Sequence, residues 1–332
     1  MAIPPLVVAA ARNGWHWQWL RLMQGLGPAD AEGRYTRPPS DQLAVAALSE
    51  DELNNRSPEH RPRLIIGRSC PWAHRTWLVH RLRRLEGSLT LLTATADHRG
   101  GRWSLEPPWL NCPSLLDLYR TCGTPPNHRA TVPALVDPGM TSSPAPRLLG
   151  NDSAALCEAL NNWPADADAM DLAPSGLTED IRRWQDLLQP AVNDGVYRCG
   201  FARSQQAYDE ASRDLFAALD QVNAALRKSG PWICGEELTL ADVRLFPTLI
   251  RWELVYQPLF GCSATPLWMY PDLWAWRQRF YALPGVAETC DGEAWRADYF
   301  GALFPLNPGG IIPKGPDLGK LMAGAPAGHD HG

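Results

Sequence analysis

Residues 64–82, "LIIGRSCPWAHRTWLVHRL", hold the passage from strand to helix on which the architecture turns. Leu64, Ile65, Ile66 and Gly67 form a short apolar run that ends in a polar turn. Cys70 and Pro71 follow, and then Trp72, Thr76, Val79 and Leu82 recur at three- and four-residue spacing. The pattern predicts a strand over 63–67 and a helix over 71–84, with the cysteine at the helix start. Proline is tolerated in that first turn. Free N–H groups and the positive end of the helix dipole favour an anion there, so the position is expected to lower the thiol pKa and favour the reactive thiolate. Arg68, His74 and Arg75 are read as adding positive potential. Position 73, where a dithiol redox motif carries its second cysteine, is alanine. A single thiol cannot close on itself, so any covalent intermediate on Cys70 must be resolved by an external thiol, for which the protein needs a binding site.

Two downstream segments offer one. Thr131-Val132-Pro133 precedes a strand-like run. In thioredoxin-like folds a proline so placed is cis and lies against the cysteine, and the residue before it presents N–H and C=O to an extended thiol peptide. An ordinary turn proline is the other reading. Asn151-Asp152-Ser153 opens a helix pattern and offers N–H groups, a hydroxyl and a carboxylate, which suit the α-carboxylate and α-amine of a γ-glutamyl group. A plain N-cap explains the same residues.

Around these motifs the chain divides into four zones. Residues 1–60 are rich in Pro and Trp, with one short helix expected in "GWHWQWLRLMQGL" (14–26) and the rest read as an extended segment wrapping a body. Residues 61–165 alternate strand and helix signals: strands at 63–67, 88–95 and 130–137, helices at 71–84, 114–122 and 151–163, and a Pro/Gly-rich insertion at 97–113. That order suits a small thioredoxin-like sheet. A linker at 164–174 leads to residues 175–302, where only helical faces appear, among them Ile181, Trp184, Leu187, Leu188 and Ala191, and then Tyr208, Ala211, Leu215, Leu219, Val222 and Leu226. Thr239 stands three residues before Asp242, an arrangement like a capping box. Residues 303–332 form a Gly/Pro-rich tail ending in "GHDHG", read as disordered rather than metal-binding. The fold class expected is thus α/β plus all-α: a thioredoxin-like domain followed by an all-helical domain.

Composition narrows the function. A length of 332 residues fits about two domains. The net charge of −5, without long basic runs, argues against a nucleic-acid partner. No apolar run reaches the roughly 18 residues needed to span a bilayer, and the N-terminus lacks the basic start of a signal peptide. The eight cysteines form no CxxC pair and read as reduced thiols of a cytoplasmic protein.

At this point the residues resemble the Xi-class glutathione transferases, or glutathionyl-hydroquinone reductases. "CPWAHRT" (70–76) is similar to their active-site signature and "RATVPAL" (129–135) to their Arg-x-Thr-Val-Pro segment. "GVYRCGFARSQ" (195–205), "LTLADVRLFPTLIRWELVY" (238–256) and "NPGGIIPKGP" (307–316) resemble further family blocks. The resemblance covers roughly residues 60–316. It implies a homodimer with glutathione as co-substrate, no metal, and Cys70 as nucleophile. By the same resemblance Trp103, Arg129, Val132, Pro133, Asp152 and Ser153 contact glutathione. Tyr197 moves a proton at the quinol, and Tyr256 and Tyr299 line the substrate pocket; core packing with one satisfied hydroxyl is what the tyrosines would suggest without it. Asp152 stands where the family usually has Glu, and Arg102 in Gly101-Arg102-Trp103 where it usually has a second Gly. Phe300, Leu259 and Leu303 replace a tyrosine and two histidines, which bears on the substrate more than on the thiol chemistry.

The expected activity is reduction of glutathionyl-hydroquinones through a Cys70–glutathione mixed disulfide, releasing oxidised glutathione. Other monothiol chemistry, namely deglutathionylation or dehydroascorbate reduction, uses the same cysteine cycle. A non-catalytic binding protein on a transferase fold is the alternative from a different class.

Overall fold

The computed structural model describes residues 3–37, 45–46, 48, 50–54, 56–97, 101–140 and 145–324. Its first part contains α1 (Pro5–Leu26), α2 (Glu50–Asn54), β1 (Arg63–Gly67), α3 (Pro71–Leu82), β2 (Thr90–Asp97), β3 (Arg102–Trp109), β4 (Cys112–Ser114), α4 (Leu115–Thr121), β5 (Ala134–Asp137), β6 (Arg147–Gly150) and α5 (Ser153–Asn161). The strands form one six-stranded sheet in the order β4-β3-β2-β1-β5-β6. β1 pairs with β2 in parallel and with β5 antiparallel, so it has no free edge. Leu64, Ile65 and Ile66 are all buried, which is why this strand reads as an unbroken apolar run rather than an alternation. Ten of the twelve residues of α3 are buried. A helix covered all round lies between layers, and α3 is covered by the sheet on one side and by helices on the other.

The second part is helical: α6 (Thr178–Leu188), α7 (Gly195–Gly200), α8 (Gln205–Ser229), α9 (Leu240–Leu249), α10 (Gln257–Phe260), α11 (Pro271–Tyr281), α12 (Gly292–Ala302) and α13 (Leu318–Ala323). Two wide π turns, Gln189–Asn193 and Trp252–Tyr256, follow α6 and α9. Pro190 lies in the first and Pro258 just after the second, and each removes one N–H from the helical ladder. The apolar faces read from the sequence point inward: Ile181, Trp184 and Leu188 on α6, and Ala211, Leu215, Leu219, Val222 and Leu226 on α8, are buried.

The structure departs from the sequence reading in three places. The 97–113 insertion contains β3 and β4. Pro107 and Pro108 hide the strand, but they fall where the β3–β4 register shifts between Ser104 and Trp109, so no regular ladder N–H is required of them. The N-terminal helix starts at Pro5 instead of Gly14 and runs 22 residues, because Pro4-Pro5 opens it and Leu6–Ala11 favours helix. The tail is ordered as far as α13, where Gln278 donates to the carbonyls of Met322 and Gly324 at 2.8 and 2.7 Å. The "GHDHG" end lies outside the described residues.

After α1 the chain folds into a short hairpin, bridged between Ala29 and Tyr35, that lies as a strap across the α7–α8 connection. Gly33, at φ +85°, accepts from the Arg203 N–H at 2.9 Å. Ser204 Oγ donates to the Glu32 carbonyl at 2.6 Å, and Arg34 pairs with Glu210 at 2.6 and 3.2 Å. Tyr35 meets Phe201 edge to face at 5.2 Å.

The helical half is locked by Asp242. Thr239 and Asp242 form a capping box at the start of α9. The buried carboxylate accepts from Ile233 N–H at 2.9 Å, Thr239 N–H at 3.0 Å and Trp276 Nε1–H at 2.8 Å. Burial pushes its pKa up to about 6 despite these donors. Asp242→Ala strands three buried donors and is expected to lower the unfolding free energy by about 3 kcal/mol in chemical denaturation. A loss below about 1 kcal/mol would show that the box is not essential to this half.

Candidate active site

Cys70 is the N-cap of α3. Its Sγ accepts from the Ala73 N–H at 3.5 Å and, as a thiol, donates to the Val132 carbonyl at 3.5 Å. The Val132–Pro133 bond is cis. Leu135 and Ala134, just beyond this proline, pair with Leu64 and Ile65 of β1, and that register sets Val132 against the cysteine. The residue at position 73 therefore contributes through its N–H and not through its side chain.

The electrostatics differ from the sequence expectation. Burial raises the Cys70 pKa above its ordinary value, and the N–H groups of Ala73 and Trp72 with the charges of Arg251 and Arg37 offset it only in part. His74 supplies no charge: burial, and next to it Arg251, hold its pKa well below the usual histidine range. Arg68 points outward and pairs with Asp291 at 3.2 Å. Arg75 is buried, its pKa brought down to about 10 by desolvation first, and remains a cation at neutral pH.

Of the expected glutathione contacts, Trp103 lies in β3 with its ring packed over Gly67, where any Cβ would collide with it. Only glycine leaves room for the indole three residues before Cys70. Val132 meets the thiol through its carbonyl, and Pro133 supplies the cis bond that follows it. Asp152 caps α5, accepting from the Ala155 N–H at 2.8 Å, and Ser153 is the first residue of that helix. Arg129 is exposed in the loop that leads to the cis bond. Asp152, Ser153 and Arg129 thus stand on the β5–β6 side of the thiol.

The three tyrosines converge. Tyr299 Oη lies 2.5 Å from Tyr197 Oη and 3.2 Å from Tyr256 Oη. Tyr256 is fully buried, Tyr299 is 8% exposed and Tyr197 is half-buried, so the chain of hydroxyls opens at Tyr197. The two π turns deliver two of them: Tyr256 ends the second, and Tyr197 follows the first by four residues. Such turns re-aim side chains within a helix and often mark functional sites. Desolvation raises the pKa of all three, most strongly for Tyr197 and Tyr299, which keeps them protonated. When Cys70 ionises, its charge raises the Tyr256 pKa a little further, which ties the cluster to the thiol.

Other residues of the site had weak signals in the sequence. Trp72 reads as part of the apolar face of α3, yet its ring stacks on Tyr197 at 6.2 Å and 25°. Arg37 of the strap lies 4.0 Å over that indole and Arg75 4.4 Å over it, and Arg37 also pairs with Asp194 at 2.7 Å. Position two after the cysteine is a signal for Trp72; nothing local in the sequence points to Arg37. Phe300 is buried, and Leu259 and Leu303 pack partly buried against the core, so these positions bring no polar group.

Two family models, the N-terminal and the C-terminal domain of glutathione S-transferase, match residues 69–163 and 205–279. A glutathionyl-hydroquinone reductase of Sphingobium chlorophenolicum is 32% identical over 265 residues, covering 77% of this chain and 83% of that one. This chain belongs to the glutathione transferase family. The Xi-class glutathione transferase of Phanerochaete chrysosporium superposes with a TM-score of 0.76 at 28% identity, covering 87% of this chain and 95% of that one. The glutathione-bound YqjG of Escherichia coli K-12 gives 0.68 at 31% identity, covering 78% and 86%. Its place is among the Xi-class members, and like them it is a glutathione-dependent enzyme. Among the described residues no helix is long and apolar enough to cross a membrane.

Because burial raises the thiol, alkylation of Cys70 in the ligand-free protein is expected to keep accelerating as pH rises past about 8.5, the ordinary thiol value. Iodoacetamide kinetics with peptide mapping test this. A plateau below pH 7 would show that the helix start dominates instead.

Proposed function

We propose that this enzyme removes glutathione reductively from glutathionyl-hydroquinones, as a cytoplasmic homodimer. The observation that carries the proposal is the chain of three hydroxyls, Tyr256–Tyr299–Tyr197, beside a lone N-cap thiol. A conjugating transferase needs a group that activates glutathione and no proton relay to a ring. A dithiol reductase needs a second cysteine, and position 73 is Ala.

The residues divide the work as follows. Trp103, Arg129, Val132, Pro133, Asp152 and Ser153 hold the glutathionyl moiety, with its sulfur presented to Cys70. The shorter Asp152 reaches less far toward the γ-glutamyl amine than the usual Glu. Protonation of the ring carbon that bears sulfur, from the Tyr197 end of the hydroxyl chain, with loss of the phenolic O–H proton to the medium, gives a keto tautomer. The Cys70 thiolate then attacks the glutathione sulfur. The carbon–sulfur bond breaks, and its electron pair flows into the ring as aromaticity returns. The resulting phenolate oxygen takes a proton from the medium and Tyr197 is reprotonated, its partners Tyr256 and Tyr299 donating hydrogen bonds that favour the anionic forms. Cys70 is left disulfide-bonded to glutathione. A second glutathione thiolate attacks that disulfide, giving oxidised glutathione and the free Cys70 thiolate. The ring gains two electrons and the two glutathione sulfurs lose them.

Cys70→Ser is expected to abolish hydroquinone release from a glutathionyl-hydroquinone, followed by chromatography. Tyr197→Phe is expected to lose at least about 100-fold in that release while still forming a glutathione adduct on Cys70 with glutathione disulfide, read by mass spectrometry. Release at the parent rate in either variant would overturn the mechanism.

A further inference from the structure

Arg251 is fully buried and, among the described residues, forms no ion pair with a carboxylate. Burying a cation without an acid costs several kcal/mol, so its surroundings call for explanation. One Nη donates to His74 Nδ1 at 2.9 Å and to the Pro247 carbonyl at 2.8 Å. The other donates to the Arg68 carbonyl at 3.4 Å. The guanidinium lies 4.0 Å over the Trp295 ring, whose Nε1–H donates to the same Arg68 carbonyl at 3.0 Å. Its Nε has no partner.

These partners bracket the thiol: Arg68 is two residues before Cys70 and His74 four after it. The network also fixes the tautomer of His74. Thr289 spends its one hydroxyl proton on the Val286 carbonyl at 2.6 Å, so at 2.7 Å it accepts from His74 Nε2–H. His74 Nδ1 is then a lone pair that accepts from Arg251, and the imidazole is neutral.

We infer that Arg251 is a positioning residue of the active site, a cation built in as the counter-charge of the Cys70 thiolate while it clamps the turn that carries the cysteine. The inference rests on Cys70 being the reacting thiol. In the resting thiol state the cation is uncompensated; ionisation of Cys70 supplies the missing anion. The other groups that act on the thiol are Arg37 of the strap, the N–H groups of Trp72 and Ala73, and Tyr256 across the site. Around Arg251 stand neutral His74, the Cys290 thiol, and Tyr256 and Tyr299, all of which feel its charge. The Arg68–Asp291 pair is at the surface. None of these is a fixed anion facing Arg251, which leaves the thiolate as the group it serves.

The test reads Cys70 alkylation by peptide mapping and needs no turnover, so it is independent of the quinol chemistry. Arg251→Gln is expected to lower the iodoacetamide rate at Cys70 about tenfold at pH 7.5, with the gap to the parent narrowing as pH rises through the parent thiol's raised pKa. Arg251→Lys restores most of the rate at pH 7.5. A structural role alone would instead lower the rate equally at all pH values, or leave it unchanged. Where a variant does not fold, the unmodified protein decides. Anionic iodoacetate should then be favoured over iodoacetamide at Cys70, relative to free glutathione, and the preference should survive 0.5 M salt, which screens surface cations such as Arg37 within about 4 Å. No preference, or one abolished by salt, would overturn the inference, as would unchanged pH dependence in a folded Arg251→Gln protein. Failure of Cys70→Ser to stop hydroquinone release would instead overturn the function proposed above and leave these alkylation results standing.

Discussion

A single guanidinium ties the two halves of this protein together at its reactive centre. Arg251 comes from the helical half, just after α9, and its bonds run to the Arg68 carbonyl and to His74, on either side of Cys70. The cation is fully buried, so these bonds cannot be exchanged for water without moving the halves apart. The thiol turn, the neutral state of His74 and the orientation of Trp295 all depend on this contact. The same stretch of chain then enters the π turn that ends at Tyr256, so one segment sets both the charge beside the thiol and the first hydroxyl of the tyrosine chain.

The site balances desolvation against oriented dipoles and charges. Around Cys70 burial is the larger effect, which distinguishes this cysteine from one at an open helix start. Burial also keeps the tyrosines as phenols, able to give protons across the neutral range. A water-poor site suits chemistry in which an aromatic ring must be held in a keto form, because a proton passed along a chain of hydroxyls does not exchange with solvent at each step.

The N-terminal strap takes part in this arrangement. It is pinned to the residues that follow α7 by backbone and side-chain bonds from Glu32, Gly33 and Arg34. Arg37 then reaches the face of Trp72, which in turn stacks on Tyr197. A segment outside both matched family domains thereby fixes an aromatic wall of the site. Most of α1 before it is exposed, with Met23 its one buried residue, so the strap and not the helix makes the principal attachment.

Much of the architecture could be read from local pattern. The unbroken run of β1, the capping residues of α3, α5 and α9, and the inward faces of α6 and α8 follow from spacing and side-chain chemistry alone, since each concerns residues within a few turns of one another. Cys70 and Ala73 stated in sequence that any thiol chemistry here would need a second thiol from outside. β3 and the first turns of α1 were obscured by prolines, whose effect depends on whether a neighbouring strand requires their N–H. The charge around Cys70 was misread for a related reason: His74 looks like a cation, but burial first, and then Arg251, 177 residues away and donating to it, keep it neutral. Hydrogen bonds among Tyr197, Tyr256 and Tyr299, and the reach of Arg37 to Trp72, likewise join positions far apart in the chain. Sequence determined which groups could react; tertiary structure decided which are charged, because burial and distant partners set protonation.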